Sequence, residues 1–445
     1  MRATLLLSLG TAASAITANV VTHGGVENAL LALTAAGGGV LYFPPGDHTI
    51  APFNLTSNTI MLLDFASLHA PTTMGAFALV PPLPSYGMGR DKLPNDLNGR
   101  YQPLIGIYHA TNVSITTNSS GLIDGSGETF WGPKREGLLN NTPPHLIEVG
   151  WSSRVTIGAP PGSPLHALTL EDSPFWNIHL YNSDDLHVHD VSVFAPVNEG
   201  NTDGVDPDSS RNVLIERFRY VGGDDGVAIK SGWDDAGIRY NVPVENVTVR
   251  DADITTRACC VCVGSEMSGG ARNILAANVR CTNTGSAFYV KSAPGRGGFV
   301  TNFSFVDSVV TGARAAFSVM MTVRFLPLSP PSPPPPSHTR ARHSPPSPQY
   351  GDHPLPPLTW NASNLPVLDG FVMARVAGVG VQEAGSLSGS PGAGAPGVAI
   401  SNVRVEDVAF DARATWACNN VSGSSKNVTP PVTQGPRGGC PQLRG

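Results

Sequence analysis

A four-residue pattern, asparagine followed by an apolar residue, any residue and a second apolar residue, recurs along this chain. It stands at Asn112-Val113-Ser114-Ile115, Asn212-Val213-Leu214-Ile215, Asn246-Val247-Thr248-Val249, Asn273-Ile274-Leu275-Ala276, Asn302-Phe303-Ser304-Phe305 and Asn402-Val403-Arg404-Val405. Arg154-Val155-Thr156-Ile157 and Asp185-Leu186-His187-Val188 are degenerate copies. Alternating apolar residues after a turn residue mark a half-buried strand. Asparagine suits the turn because it tolerates the left-handed conformation and bonds the local backbone. From Asn212 to Asn246, Asn273 and Asn302 the intervals are 34, 27 and 29 residues. A strand that returns at that period is one coil of a solenoid. A β-sandwich, with turns every 8–12 residues, would repeat faster. The expected fold is all-β: a single-domain right-handed parallel β-helix over residues 16–445. Its open first coil would expose core and unpaired edges unless covered. Glu27-Asn28-Ala29-Leu30-Leu31-Ala32-Leu33, within Gly24 to Ala36, is the one helical stretch and the expected N-terminal cap.

Composition agrees. Charged residues are 14% of the 445, with 49 Gly and 40 Pro, which fits short strands and turns and fits a helical protein poorly. The formal net charge of −6 gives nucleic-acid binding no electrostatic support. Met1-Arg2, the apolar run Ala3 to Leu9 and Ala13-Ser14-Ala15 read as a signal peptide over residues 1–15. Nine N-x-S/T sequons agree with a secreted glycoprotein, at Asn54, Asn112, Asn118, Asn140, Asn246, Asn302, Asn361, Asn420 and Asn427. No other apolar run approaches the roughly 20 residues that span a membrane. The segment from Phe325 to about Gln349 contains Pro330-Pro331-Ser332-Pro333-Pro334-Pro335-Pro336 and cannot form a packed coil, so it reads as an insert outside the solenoid.

Cys418 and Cys440 flank a Gly/Pro-rich tail and look like a disulfide staple. Cys259, Cys260, Cys262 and Cys281 lack zinc-hook spacing and read as core cysteines, with room for one disulfide among them. No metal site is expected.

Three carboxylates sit between glycines: Asp203 in Asn201-Thr202-Asp203-Gly204-Val205-Asp206, and Asp224 and Asp225 in Gly223-Asp224-Asp225-Gly226. The step from Asp203 to Asp224 is 21 residues, about one coil. Stacked strands lie roughly 4.8 Å apart, so the three carboxylates would meet on one face. Adjacent Asp224 and Asp225 reach the same face only where the strand is broken, which the flanking glycines permit. Crowded carboxylates cannot all ionise cheaply, and one protonated plus one ionised carboxyl is what glycosidic cleavage requires. A calcium site or plain turn aspartates is the other reading.

The ordered set Asn-Thr-Asp-Gly-x-Asp from Asn201, Gly-Asp-Asp-x-x-x-x-Lys-Ser-Gly from Gly223, Gly264-Ser265-Glu266-Met267-Ser268-Gly269-Gly270, and Val290-Lys291 before Gly295-Arg296-Gly297-Gly298 resembles the polygalacturonases of glycoside hydrolase family 28. It is most similar to the exo-acting plant and bacterial branch, from about Gly37 to Leu443. The resemblance implies a secreted, monomeric enzyme of the cell wall or extracellular space. It would cut α-1,4-galacturonosidic bonds of pectin with inversion, without cofactor, its partner being polygalacturonate rather than nucleic acid or membrane. Asp224 would be the general acid, and Asp203 and Asp225 would position and deprotonate the water, with carboxyls roughly 6.5–9.5 Å apart. Lys291 would hold a uronate carboxylate as a point charge. The family's Arg-x-Lys is Tyr289-Val290-Lys291 here, so a bidentate clamp is lost. Asn201, Tyr289 and Arg296 join Lys291 as candidate substrate-binding residues. The family's His-Gly pair falls around Ala258-Cys259-Cys260. Asp206 and Asp208 look like turn residues or supports behind the acid. Glu266 reads as a subsite ligand or a structural carboxylate, Trp233 as a sugar platform or core, and Phe175, Trp176 and His179 as core or cleft wall. The rival functions are a calcium-dependent lyase on the same fold, a catalytically impaired pectin-binding wall protein, and a hydrolase of a related polymer such as a rhamnogalacturonan or xylogalacturonan.

Overall fold

The computed structural model describes residues 16–86, 99–164, 166–321, 361, 363–389, 397–411, 413–435 and 439–443. The expected signal peptide and the proline-rich insert lie outside the described residues. Strands dominate and form two long parallel sheets, of 17 and 11 strands among the described residues, wound as a right-handed β-helix. In the shorter sheet each strand pairs in parallel with its counterpart one coil on. Ile147–Gly150 is followed by Ile178–Tyr181, Val205–Asp208, Val227–Ile229, Cys259–Val263 and Ser286–Lys291. The inward residues of both sheets make one continuous apolar core, from Leu41 and Phe43 to Trp416.

The asparagine pattern has a physical cause visible along the other sheet. Asn212, Asn246, Asn273 and Asn302 all lie in the left-handed region, at φ 55–59°. Each side-chain amide donates to the previous coil: Asn246 to Asn212 at 3.1 Å, Asn273 to Asn246 at 3.1 Å and Asn302 to Asn273 at 3.3 Å. The degenerate copies keep the conformation, Arg154 at φ 52° and Asp185 at φ 55°. Apolar residues then fall in register, as in Val213–Val247–Ile274–Phe303–Phe371.

The expected capping helix is Val26–Ala36, which buries Ala29, Leu30 and Leu33. Gly37, at φ 80°, ends it and donates its N–H to the carbonyls of Leu33 and Thr34. Two further short helices were not expected, Glu128–Arg135 and Asp234–Tyr240. The first contains Pro133, and the second starts with two aspartates, so neither carries enough apolar periodicity to be read locally. Cys418–Cys440 is a disulfide, and Cys260 pairs with Cys281. Cys259 and Cys262 are free and buried, and they lie apart from the main core, against Ala228 and Tyr289. All four are buried, as expected of core cysteines, and Cys260–Cys281 is the one disulfide among them.

Candidate active site

The outer face of the shorter sheet gathers the three carboxylates. Asp203 precedes Val205–Asp208 across Gly204, and Asp224 and Asp225 precede Val227–Ile229. The strand Arg211–Gly222 ends at the paired glycines. A Cβ on Gly223 would lie 2.1 Å from the Glu199 carbonyl oxygen, so only glycine lets the chain turn there. The turn puts both aspartates on one side, and Asp225 donates its backbone N–H to Asp224 Oδ1 at 2.9 Å. One oxygen from each of Asp203, Asp224 and Asp225 lies within 4.8 Å of the others. That is tighter than the separation usual for an inverting pair.

The three differ in surroundings. Asp203 is buried, and Lys230 Nζ lies 3.6 Å from its Oδ2. Burial and the Asp224 charge push the Asp203 carboxyl well up, against the pull of Lys230. Asp224, partly exposed, accepts the Asn201 backbone N–H at 2.7 Å. Its carboxyl is pushed up by burial and by the Asp225 charge, with Lys291 opposing. Asp225 accepts the Cys259 N–H at 3.0 Å, the Cys262 thiol at 3.1 Å and an ion pair from Lys291. Those are partners for a carboxylate anion.

Lys230 is the cation that the sequence left without a role. Its ammonium contacts Glu266 at 3.1 Å, Asp206 at 3.5 Å and Asp203 at 3.6 Å, and it lies 4.3 Å from the centre of the Trp176 ring. Burial opposes its charge, but Glu266, Asp203 and Asp206 outweigh it and hold the ammonium well above its usual range. Glu266 is therefore a counter-ion of Lys230. Neither oxygen of buried Asp206 has a hydrogen-bond partner, and burial raises that carboxyl well above the usual range.

The candidate substrate-binding residues separate. Lys291 and Tyr289 lie on Ser286–Lys291 beside Asp225, with Lys291 Nζ 5.8 Å from the Tyr289 ring centre. Asn201 accepts from Lys134 Nζ at 2.9 Å, which ties the turn before Asp203 to the helix Glu128–Arg135. Arg296 is buried: it donates to the Ser265 carbonyl at 2.7 Å, pairs with Asp234 and stacks 3.6 Å from the Trp233 ring centre. Its guanidinium is thus engaged away from the carboxylate trio.

Behind the trio, His179 Nε2 contacts Asp208 at 3.1 Å and its Nδ1 contacts Glu148 at 3.2 Å. Glu148 is gripped by Arg100 through both oxygens, at 2.7 and 2.8 Å, and by Tyr108 at 2.5 Å. Burial takes His145 down to about 3, so its ring is neutral. Asp208, Tyr86 and this column form a supporting wall beneath Trp176, Tyr181 and Trp233. No helix among the described residues is long and apolar enough to cross a membrane.

A family model described as glycosyl hydrolases family 28 matches residues 95–330. A relative from Vitis vinifera described as a probable polygalacturonase is 33% identical over 396 residues, covering 88% of this chain and 72% of its own length. The fold is similar to that of a hyperthermoactive exopolygalacturonase from Thermotoga maritima (TM-score 0.70, 20% identity, 93% of this chain and 91% of that one). It is also similar to that of a polygalacturonase from Erwinia carotovora (TM-score 0.65, 20% identity, 94% and 99%).

Proposed function

The chain belongs to glycosyl hydrolases family 28 and is a glycoside hydrolase, and from that premise we propose that it hydrolyses α-1,4-galacturonosidic bonds of pectin, acting from a chain end. The observation that carries the reading is the convergence of Asp203, Asp224 and Asp225 on one face, with Lys291 paired to Asp225. Asp224 is partly exposed and its raised carboxyl can carry the proton for the leaving oxygen. Asp225, held among a lysine, a thiol and a backbone N–H, is the base that takes a proton from water. Asp203 shares that water. Lys291 stands where a uronate carboxylate would draw it partly off Asp225, which couples substrate charge to the base. Tyr289 offers a ring face where the family has an arginine. Secretion to the cell wall, glycosylation and a monomeric state belong to the same proposal.

The test is reducing-end release from polygalacturonate by the wild type and by Asp224→Asn, with and without EDTA. Release that survives EDTA and is lost in the variant supports the hydrolase, and release of monomers first supports exo action. A folded wild type that binds pectin and releases nothing from any pectic polymer favours the second reading, a binding protein. That reading draws on Tyr289 and on the engagement of Arg296 by Asp234. Proton NMR of the first product fixes the stereochemistry. The β-anomer marks inversion, and the α-anomer would mean that the close carboxylates work as a retaining pair.

A further inference from the structure

Cys259 and Cys262 are the free thiols of the chain, since the other four cysteines form two disulfides. Both turn toward the catalytic face rather than the solenoid core and pack with Ala228 and Tyr289. Cys262 Sγ lies 3.1 Å from Asp225 Oδ2, and the two sulfurs and a carboxylate oxygen of Asp225 all lie within 4.8 Å of one another. We propose that Asp225, Cys259 and Cys262 form a site for one thiophilic divalent cation, of which zinc is the probe, and that its binding displaces Lys291 from Asp225.

The donor set selects the metal class. Two sulfurs and one carboxylate oxygen suit zinc and its soft relatives, whereas calcium and magnesium take oxygen ligands. Tetrahedral zinc, with bonds of roughly 2.3 Å to sulfur and 2.0 Å to oxygen, holds its ligand atoms roughly 3.3–3.8 Å apart. Cys262 Sγ and Asp225 Oδ2 are 3.1 Å apart and all three donors lie within 4.8 Å, so the set closes to that spacing with shifts of about 1 Å. The framework beneath them is fixed: the strand Cys259–Val263 pairs on both sides with Val227–Ile229 and Ser286–Lys291. The Cys259 N–H tethers the Asp225 carboxylate to the same strand. Asp203 and Asp224 each bring an oxygen within 4.8 Å of Asp225 and supply a fourth ligand, or water does so from the cleft. Asp224 and Tyr289, beside the site, are both partly exposed. Each thiol loses its proton to solvent as its metal–sulfur bond forms, and the Lys291 ammonium, now beside a dication, swings off Asp225. The other candidate cluster, His145, Glu148 and His179, is less suited, because Arg100 and Tyr108 occupy both Glu148 oxygens. The binding itself does not rest on the catalytic role proposed for Asp225.

The experiment uses the full chain, stripped with chelator and kept free of reductant. Unfolding it should expose two reactive thiols. Cobalt(II) should then produce thiolate-to-metal charge-transfer absorption that saturates at one equivalent and is displaced by zinc. Cys259→Ser and Cys262→Ser should each weaken zinc by at least about 100-fold, because even outer-shell partners are worth 10–100-fold. Lys291→Met should tighten it by about tenfold, since a competing cation is gone. That variant leaves both thiols intact, so it reports on the site whether or not the serine variants fold. No reactive thiol, no charge-transfer absorption, or affinity unchanged in Cys262→Ser overturns the proposal. Charge-transfer absorption in a protein that hydrolyses no pectic polymer leaves the site standing and removes the catalytic reading. Hydrolysis without that absorption removes the site alone.

Discussion

Lys230 reaches across one coil step to lie 3.6 Å from Asp203, and it is the shared counter-ion of Asp203, Asp206 and Glu266. Lys230→Met strands three buried carboxylates. Breaking a buried ion pair from one side costs about 3–5 kcal/mol, and the loss is measurable by urea unfolding. Lys230 also holds the Asp203 carboxyl down against burial, so its removal pushes that carboxyl higher still. The acid limb of kcat/KM therefore moves to higher pH in the variant. An unchanged limb alongside lost stability would reduce Lys230 to a structural support.

Asp224→Asn removes the transferable proton; the Asn201 and Asp225 N–H groups bond different oxygens of Asp224, so the single amide carbonyl keeps one of them and loses the other. The fold should persist, with unfolding shifted by about 1–3 kcal/mol, the cost of leaving one backbone N–H without its acceptor. The loss in kcat should be about 10²–10⁴-fold, the usual worth of general acid catalysis. Circular dichroism and initial rates on polygalacturonate read the two effects separately.

Asn246 sits mid-ladder at φ 55°, with amide bonds to Asn212 and Asn273. Asn246→Ala loses both bonds and must hold an unfavourable φ, so it should cost about 1–3 kcal/mol. Asn246→Gly loses the same bonds but accepts the conformation, and it should cost less. An equal cost for the two would show that the bonds, rather than the backbone, set the ladder.

The ladder explains why so much of the fold was legible. Coil after coil repeats one local requirement, a left-handed residue followed by inward apolar side chains, and Asn meets it cheaply. A second column of left-handed residues, Asp190, Arg217, Asp251, Asn278, Asp307 and Arg375, went unread because its residue types vary while its backbone does not. Asp203, Asp224 and Asp225 were readable because a 21-residue step and flanking glycines encode their meeting. Lys230 and the pair Cys259 and Cys262 were not. Their roles come from which outward positions of neighbouring coils coincide, and coil lengths that vary by several residues hide that coincidence. Arg296, a substrate-binding candidate because it lies near Lys291 in sequence, has its guanidinium folded onto Trp233 and Asp234.

Asp206 is wholly buried, and neither of its oxygens has a hydrogen-bond partner, although Lys230 lies 3.5 Å away. Burial first, and then the Asp203 charge, raise its carboxyl well above the ordinary 3.8. A folded carboxyl that keeps its proton longer than the unfolded one binds more protons in the native state. Stability from this group is therefore fully present below pH 3.8 and is lost as pH rises through the folded value. Asn at this position cannot titrate, so Asp206→Asn removes the dependence while keeping the shape. The wild type's stability minus that of the variant should fall with rising pH, by at most about 1.4 kcal/mol per unit. The Asp203 charge helps to raise Asp206, so the difference, followed by urea unfolding from pH 4 upward, reads Asp206 together with its effect on Asp203. A difference that stays flat would mean that Asp206 ionises alike in both states. One that rises would mean that Lys230 outweighs burial and holds Asp206 as an anion in the folded state.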